Sequence, residues 1–149
     1  PLSETVAFAS SLEAHVHVLF APAGWAVTVN CKVEPGLIVV AVVVVLVPEP
    51  TSFMDAYAFI KLSIKTNPSA DIRLVINNCA SHIEGQRTYE TLKKACESFL
   101  KYAPPFLGSI RRDTKVNEAI RSQIPLLTRH PMTDAAEDAI LILDRLIAP

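Results

Sequence analysis

The feature that most constrains the fold of this chain is an apolar run at positions 37–47, LIVVAVVVVLV, in which most residues are valine. β-branched side chains favour extended backbone, and a strand that is apolar on both faces belongs inside a parallel sheet covered by helices on each side. A buried helix is the alternative, but the valine content and the PEP sequence at 48–50 favour a strand. A membrane-spanning helix needs about 20 residues. We therefore predict an interior strand and no membrane span.

Helical and extended patterns alternate after this run. Apolar residues recur at three-and-four spacing over 51–65 and 85–101, and short apolar strands are predicted at 71–77 and 106–110. Alternation of strand and helix predicts an α/β fold, in which a parallel sheet is flanked by helices on both faces. Residues 1–36 are less regular, and there we expect a short helix at 3–11 and short strands at 15–20 and 25–29.

The first predicted helix has a recognisable beginning. Ser52 can act as its N-cap, with Asp55 three residues later in the position of a capping box. The three-and-four spacing then places Met54, Tyr57, Ala58 and Leu62 on the inward face. Asp55 is therefore interpreted as a structural residue.

Composition excludes several classes of protein. The chain has 149 residues, the length of one domain; half of them are hydrophobic and 19% are charged, which excludes a disordered chain. The net charge of −1 gives no overall field that would attract nucleic acid or an anionic membrane. The three cysteines, Cys31, Cys79 and Cys96, are scattered and odd in number, which argues against a secreted disulfide scaffold. We expect a cytoplasmic location.

The four glycines exclude one kind of nucleotide site. None is followed by lysine, and no two of them have the spacing of a phosphate-binding loop. A Walker A loop needs glycines so that backbone N–H groups can surround the phosphates, and a lysine to balance their charge. We therefore expect no such loop, and no GxGxxG motif is present either.

Several segments together resemble one family. Positions 44–61, VVLVPEPTSFMDAYAFIK, resemble the strand, loop and helix that follow switch II in MinD/ParA-like ATPases, and the match is best to the FlhG branch of flagellar-number regulators. Positions 74–77 resemble the base-binding strand end of that family, and 84–100 resemble the helix after it. Positions 106–110 and 113–125 resemble the strand and helix that close over the adenine. The order and spacing of these pieces make the resemblance specific.

The resemblance divides the chain and implies a base site. It covers 37–149, interpreted as the C-terminal part of a MinD/FlhG-like nucleotide-binding domain, whereas 1–36 are poorly matched. Asn77 matches the asparagine whose amide reads the adenine edge, and Asp113 and Val116 match positions that flank the base.

Two positions in the base-site segments differ from the relatives. Asn78 stands where relatives often have arginine, and Arg111 stands where they usually have proline. Both substitutions bear on the shape of the base pocket.

The implied function is ATP-dependent placement of a structure in the cell, here flagellar number or cell-pole positioning. Members dimerise around ATP, and their partners include a signal-recognition-type GTPase and flagellar proteins. This chain has no counterpart of the phosphate loop, the signature lysine or the Walker B aspartate. We therefore expect no catalytic residue, no Mg²⁺ site, weak binding of ATP or ADP, and no hydrolysis by this chain alone. A nucleotide-independent interaction or scaffold domain of the same fold is the alternative.

Other chemistry is not expected. His15 and His17 would share one face of a strand, but no third ligand has supporting spacing, so we predict no metal site. Cys79 has no histidine placed by the sequence to activate it. In the basic stretch at 101–129, no aromatic residue lies among the arginine and lysine residues from Arg111 onward, and DNA binding is not expected.

One further expectation concerns assembly. A valine-rich strand left at the edge of a sheet would seek a pairing partner. We therefore expect either a homo-oligomer or an N-terminal segment folded over that edge.

Overall fold

The computed structural model describes residues 14–21, 24–34 and 37–147, with side chains described for 41–147. Within these ranges the strands are β1 (Ala14–Ala21), β2 (Gly24–Glu34), β3 (Leu37–Leu46), β4 (Asp71–Cys79) and β5 (Phe106–Arg111). The helices are α1 (Pro50–Thr66), α2 (His82–Leu100), α3 (Thr114–Arg121), α4 (Leu126–Arg129) and α5 (Asp134–Ile147).

The described strands form one sheet in the order β1-β2-β3-β4-β5. β3, β4 and β5 are parallel, with Val44 opposite Leu74 and Leu74 opposite Phe106. The valine-rich strand and the two strands after it therefore point the same way, as predicted.

β1 and β2 make the described sheet mixed rather than purely parallel. β2 pairs with β1 and with β3 in antiparallel fashion, and Val27 lies opposite Val43. The valine-rich strand is thus interior, because an N-terminal strand lies along its other edge. The short strands expected within 1–36 coincide with β1 and β2, whereas the helix considered for residues 3–11 lies outside the described residues.

One face of the parallel strands packs against α1 and α2. Alternate residues of β3 and β4 point to this face, among them Leu46, Ile72 and Leu74. They meet Ile60 of α1 and Leu92 of α2, and all five side chains are 2% exposed or less.

The opposite face of the sheet carries the other alternate residues. Val43, Val75 and Leu107 form a second apolar cluster, against which Ile142 and Leu146 of α5 pack. Helices therefore cover both faces, and the predicted α/β class is confirmed.

α1 begins earlier than its capping pattern predicted. Its N-cap is Glu49, which makes no side-chain cap, and Pro50 occupies the first helical position. Proline suits that position because its φ is preset and its missing N–H would have no helical partner. Ser52 lies inside the first turn, where its Oγ accepts from the N–H of Val47 at 3.1 Å. The predicted capping box of Ser52 and Asp55 is therefore wrong.

The buried face of α1 also differs from the predicted one. Of the predicted inward residues, Tyr57 packs against the core, but Met54 and Leu62 are 64% and 65% exposed, and Ala58 is exposed as well. The buried residues are Ala56 and Ile60. Two interleaved stripes of this helix have three-and-four spacing. The stripe with the larger aromatic and β-branched side chains, including Phe53 and Ile60, is the one that packs on the sheet.

Candidate functional site

The carboxyl ends of β4 and β5 lie side by side at one end of the parallel strands, which we call the carboxyl edge of the sheet. The N–H of Arg112 donates to the carbonyl of Cys79 at 2.7 Å, and Arg112 Nε donates to Asn78 Oδ1 at 3.2 Å. Asn77 precedes this junction on β4, and Asp113 follows it after β5. In open α/β sheets, ligands bind at this edge, beyond the carboxyl ends of the strands.

Asn77 is half-buried and has one local bond. Its Oδ1 accepts from the N–H of Asn78 at 2.8 Å, and Asn78 has a φ of 58°, in the left-handed region that asparagine tolerates. The side-chain NH₂ of Asn77 has no hydrogen-bond partner among the described residues, so two donors remain available. The local bond that a turn asparagine typically makes is present, and the donors that a base site needs are still free of intramolecular bonds.

Asp113 is the N-cap of α3. Its Oδ1 accepts from the N–H of Lys115 at 2.8 Å, and its carbonyl accepts from the N–H of Val116 at 3.3 Å. Aspartate is a common N-cap residue, because its carboxylate can accept from the N–H groups of the first turn. Asp113 and Val116 are both half-buried, in the first turn beside the carboxyl end of β5.

A second polar cluster was not predicted from the sequence. Its centre is Asp138 of α5, which is 2% exposed. Arg111 donates to this carboxylate from its backbone N–H at 2.9 Å, from Nε at 2.9 Å and from Nη2 at 3.0 Å. Burial acts to raise the pKa of Asp138, but the hydrogen bonds from Arg111 outweigh it and hold that pKa below its usual value.

His82, the first residue of α2, joins this cluster. Its Nδ1 lies 2.9 Å from Ser109 Oγ, and its Nε2 lies 3.4 Å from Asp138 Oδ1. α2 begins here because Ser81 is its N-cap, with Oγ accepting from the N–H of Glu84 at 3.2 Å. The cluster therefore ties α2, β5 and α5 together.

The cluster contains the side chains of a hydrolytic triad without its geometry. In a triad the aspartate orients the imidazole through a close hydrogen bond, so that the other ring nitrogen can take the serine proton. Here Asp138 is engaged by Arg111, and the Asp138–His82 distance is the longest in the cluster. We interpret the cluster as structural.

A cavity of about 280 Å³ lies beside the cluster, between the start of α2, β5 and α5. It is lined by His82, Gln86, Phe106, Gly108, Ser109, Asp138, Leu141, Ile142 and Arg145. None of the residues predicted for the base site lines it. The one sequence signal that could have revealed it is a lone carboxylate, Asp138, at helical spacing between Ala135 and Ile142.

The described cysteines are not nucleophiles. Cys79 and Cys96 are both fully buried, and desolvation raises the pKa of each thiol to about 11. A thiolate is the reactive form, so neither side chain is activated at neutral pH.

Within the part of the chain that the structure describes, no three histidine, cysteine or acidic side chains are grouped as a metal site would require. In the same part, no helix has the length and apolar character needed to cross a membrane.

Comparison with known proteins supports the family resemblance. No family model matches the chain. The antiactivator FleN of Pseudomonas aeruginosa is 33% identical over 95 residues, which are 64% of this chain and 34% of FleN. The flagellum site-determining protein YlxH of Helicobacter pylori is 32% identical over 83 residues, 55% of this chain and 28% of YlxH.

The chain thus spans about a third of the length of the curated relatives that it matches. The resemblance is confirmed over the aligned part, where this chain is similar to FleN and YlxH.

Proposed function

We propose that the carboxyl edge of β4 and β5 is the adenine-binding side of a nucleotide site, in a protein that acts in flagellar number or placement. The observation that carries this proposal is the junction at Arg112, which holds the ends of two parallel strands together with Asn77 on one and Asp113 on the other. The similarity to a flagellum site-determining protein supports the cellular role.

The chemistry of Asn77 suits a purine edge. Adenine carries ring-nitrogen acceptors beside its exocyclic amino donor, and an asparagine amide can meet such a pair with its NH₂ and its oxygen. The NH₂ of Asn77 makes no bond within the described part of the chain, and its oxygen retains a second lone pair beside the bond from Asn78. Val116 supplies apolar surface at the start of α3.

The phosphates of the nucleotide have no partners in this proposal. No phosphate loop is present in the sequence, so binding rests on the base and is weak, and ATP, ADP and AMP bind alike. We propose no Mg²⁺ site and no hydrolysis by this chain alone. A homo-oligomer, a GTPase or flagellar protein partner, and a cytoplasmic location follow from the family by analogy and are proposed on that basis only.

Calorimetric titration with ATP, ADP, AMP and GTP tests the base site. We expect millimolar affinity for the three adenine nucleotides, within about threefold of one another, and weaker binding of GTP. The Asn77→Ala variant should bind about tenfold more weakly or worse, because one lost hydrogen bond to a buried partner costs about 1–3 kcal/mol. Asn67→Ala is the matched control, since Asn67 follows α1 at the opposite edge of the sheet.

Equal affinity of the two variants would exclude the assigned role of Asn77. An affinity that rises from AMP to ADP to ATP would also contradict the proposal, because the main contacts would then be with the phosphates and not with the base.

An interaction domain that binds no nucleotide is the second candidate function, and one observation favours it. Ile140, Leu143 and Ile147 lie on one side of α5 and are 43%, 41% and 52% exposed. This apolar stripe is typical of a helix that contacts another protein. Absence of heat with every nucleotide, together with loss of self-association in a Leu143→Glu variant by analytical ultracentrifugation, would favour this function over the first.

A further inference from the structure

We propose that the cavity between α2, β5 and α5 is a second ligand site, which binds a carboxylate carried on a short apolar stem. Its volume of about 280 Å³ lies just below the usual range for drug-sized ligands, which suits a small ligand. The site is separate from the proposed base site, because Asn77, Asp113 and Val116 do not line it. The inference therefore does not depend on nucleotide binding.

The cation of the cavity wall is Arg145. Its Nη1 donates to the carbonyl of Leu107 at 2.7 Å, which holds the guanidinium against β5. No carboxylate among the described residues lies within 4.0 Å of it, so its remaining N–H groups can meet a ligand. A planar guanidinium fixed in this way matches a carboxylate through two parallel hydrogen bonds.

The carboxylate in the cavity wall does not exclude a negatively charged ligand. Asp138 is the sole carboxylate that lines the cavity, and its oxygens accept three hydrogen bonds from Arg111. The charge of Asp138 is thereby balanced inside the protein. The Ser109 hydroxyl and the half-exposed His82 ring, which contact each other at 2.9 Å, lie on the same wall.

The rest of the wall is apolar. Leu141 is 54% exposed and Ile142 is partly buried, and Phe106 is fixed by stacking on Tyr89 with ring centroids 4.4 Å apart. A ligand stem of a few carbon atoms would remove Leu141 from water, which is favourable.

Gly108 keeps the floor of the cavity open. A Cβ at this position would lie 2.9 Å from Ile142 Cγ1 and 3.4 Å from Arg145 Nη1, so any side chain would crowd the floor and the cation. Its φ of 155° also disfavours other residues. Glycine is therefore compatible with the open cavity in a way that a larger residue is not.

NMR titration of the ¹⁵N-labelled chain tests the site, with hexanoate and benzoate as free acids and N-acetyl-leucine as a model of a peptide carboxyl terminus. We expect saturable shifts of the Gly108 and Ser109 amides, and at least tenfold weaker binding of the neutral analogues hexanamide, benzamide and N-acetyl-leucinamide. If hexanoate or benzoate binds more tightly than N-acetyl-leucine, the ligand is a small organic acid. If N-acetyl-leucine binds more tightly, the ligand is the carboxyl terminus of a peptide.

Arg145→Met keeps the apolar stem and removes the cation, and it should weaken every acid at least tenfold while leaving the amides unchanged. Arg129→Met, on an exposed arginine of α4, is the matched control and should have no effect. Near-UV circular dichroism checks that the variant is folded. If the Arg145→Met variant is not folded, the proposal is decided by the relative affinities of the acids and the amides for the unaltered chain. Equal binding of acid and amide, or shifts that bypass β5, would overturn the proposal.

Discussion

A methyl group added at Gly85 is expected to destabilise this protein, although alanine normally favours a helix. Gly85 lies in the first turns of α2, where the helix crosses β5. A Cβ built there would lie 2.4 Å from Ser109 Cβ, 2.8 Å from Ser109 Oγ and 3.2 Å from Cys79 Sγ. Real Cβ atoms essentially never approach another atom within 3.0 Å, so α2 or β5 has to move by roughly 1 Å to reach ordinary contact.

Two effects of opposite sign determine how far Gly85→Ala changes the free energy of unfolding. Replacing glycine by alanine inside a helix stabilises it by about 1 kcal/mol. Overpacking a well-packed core costs about 1–3 kcal/mol, and here the clash is with the rigid root of a side chain that is 7% exposed, not with a flexible end. The upper part of that range applies, and we expect Gly85→Ala to lower the free energy of unfolding by about 1–2 kcal/mol.

Urea unfolding followed by circular dichroism measures this loss, and a double-mutant cycle assigns it. Ser109→Gly removes both atoms that clash, so the pair Gly85→Ala/Ser109→Gly should be more stable than the sum of the single changes by at least about 1 kcal/mol. Ser109→Ala is the matched control, because it keeps the Cβ at 2.4 Å and removes only the hydroxyl.

A Gly85→Ala variant that is as stable as the parent chain, or more stable, would contradict this explanation. The explanation also fails if Ser109→Ala compensates as well as Ser109→Gly, because the hydroxyl and not the Cβ would then be the source of the clash.

Three further predictions concern the core and the polar cluster. Asp138→Asn should cost about 2–4 kcal/mol at pH 7, since charge-assisted hydrogen bonds to a buried group are lost. Because the folded-state pKa of Asp138 lies below the ordinary 3.8, this difference is full above pH 3.8 and should shrink as the pH falls through the folded-state pKa; a constant difference down to pH 2 would contradict it. Ile60→Ala, at a fully buried site, should cost about 2–5 kcal/mol in urea, against at most about 0.5 kcal/mol for the exposed Leu62→Ala, and similar losses would mean that α1 packs by another face. Cys79 and Cys96, each with a pKa of about 11, should resist iodoacetamide at pH 7.5 in the folded chain and react in urea, as peptide mass mapping would show; rapid labelling of either when folded would be inconsistent with the described packing.

The architecture of the parallel strands was predictable because its signals are local. Valine-rich and isoleucine-rich runs favour extended backbone wherever they occur, and the alternation with helices leaves parallel crossovers as the simplest connection. The N-cap at Asp113 was predictable for the same reason, because its hydrogen bond to the N–H of Lys115 spans two residues. Asn77 was placed correctly near a strand end, although its role in binding stays a prediction.

The inward face of α5 was not predictable in the same way. Spacing alone favours Ala136, Ile140, Leu143 and Ile147, and of these four only Ala136 is buried. The structure instead turns Ala135, Asp138, Ile142 and Leu146 toward the sheet.

The reason lies outside the local pattern. The partner of Asp138 is Arg111, which is 27 residues away along the chain. A buried carboxylate is tolerated only with such a partner, and periodicity contains no information about one. The cavity beside α5 was missed for the same reason, since its walls come from three elements that are distant in sequence.

Closure of the sheet edges bears on the expected homo-oligomer. A valine-rich strand at an open edge was the physical reason to expect self-association, but β2 lies along that edge of β3 in the described chain. At the other end of the described sheet, α5 takes two backbone groups of β5: Asp138 accepts from the N–H of Arg111, and Arg145 donates to the carbonyl of Leu107. The bonds from Asp138 and Arg145 thus occupy two of the backbone groups that an added strand would need at β5. The valine-rich strand β3 is paired on both sides and therefore supplies no reason for self-association, whereas β1 is an edge strand of the described sheet.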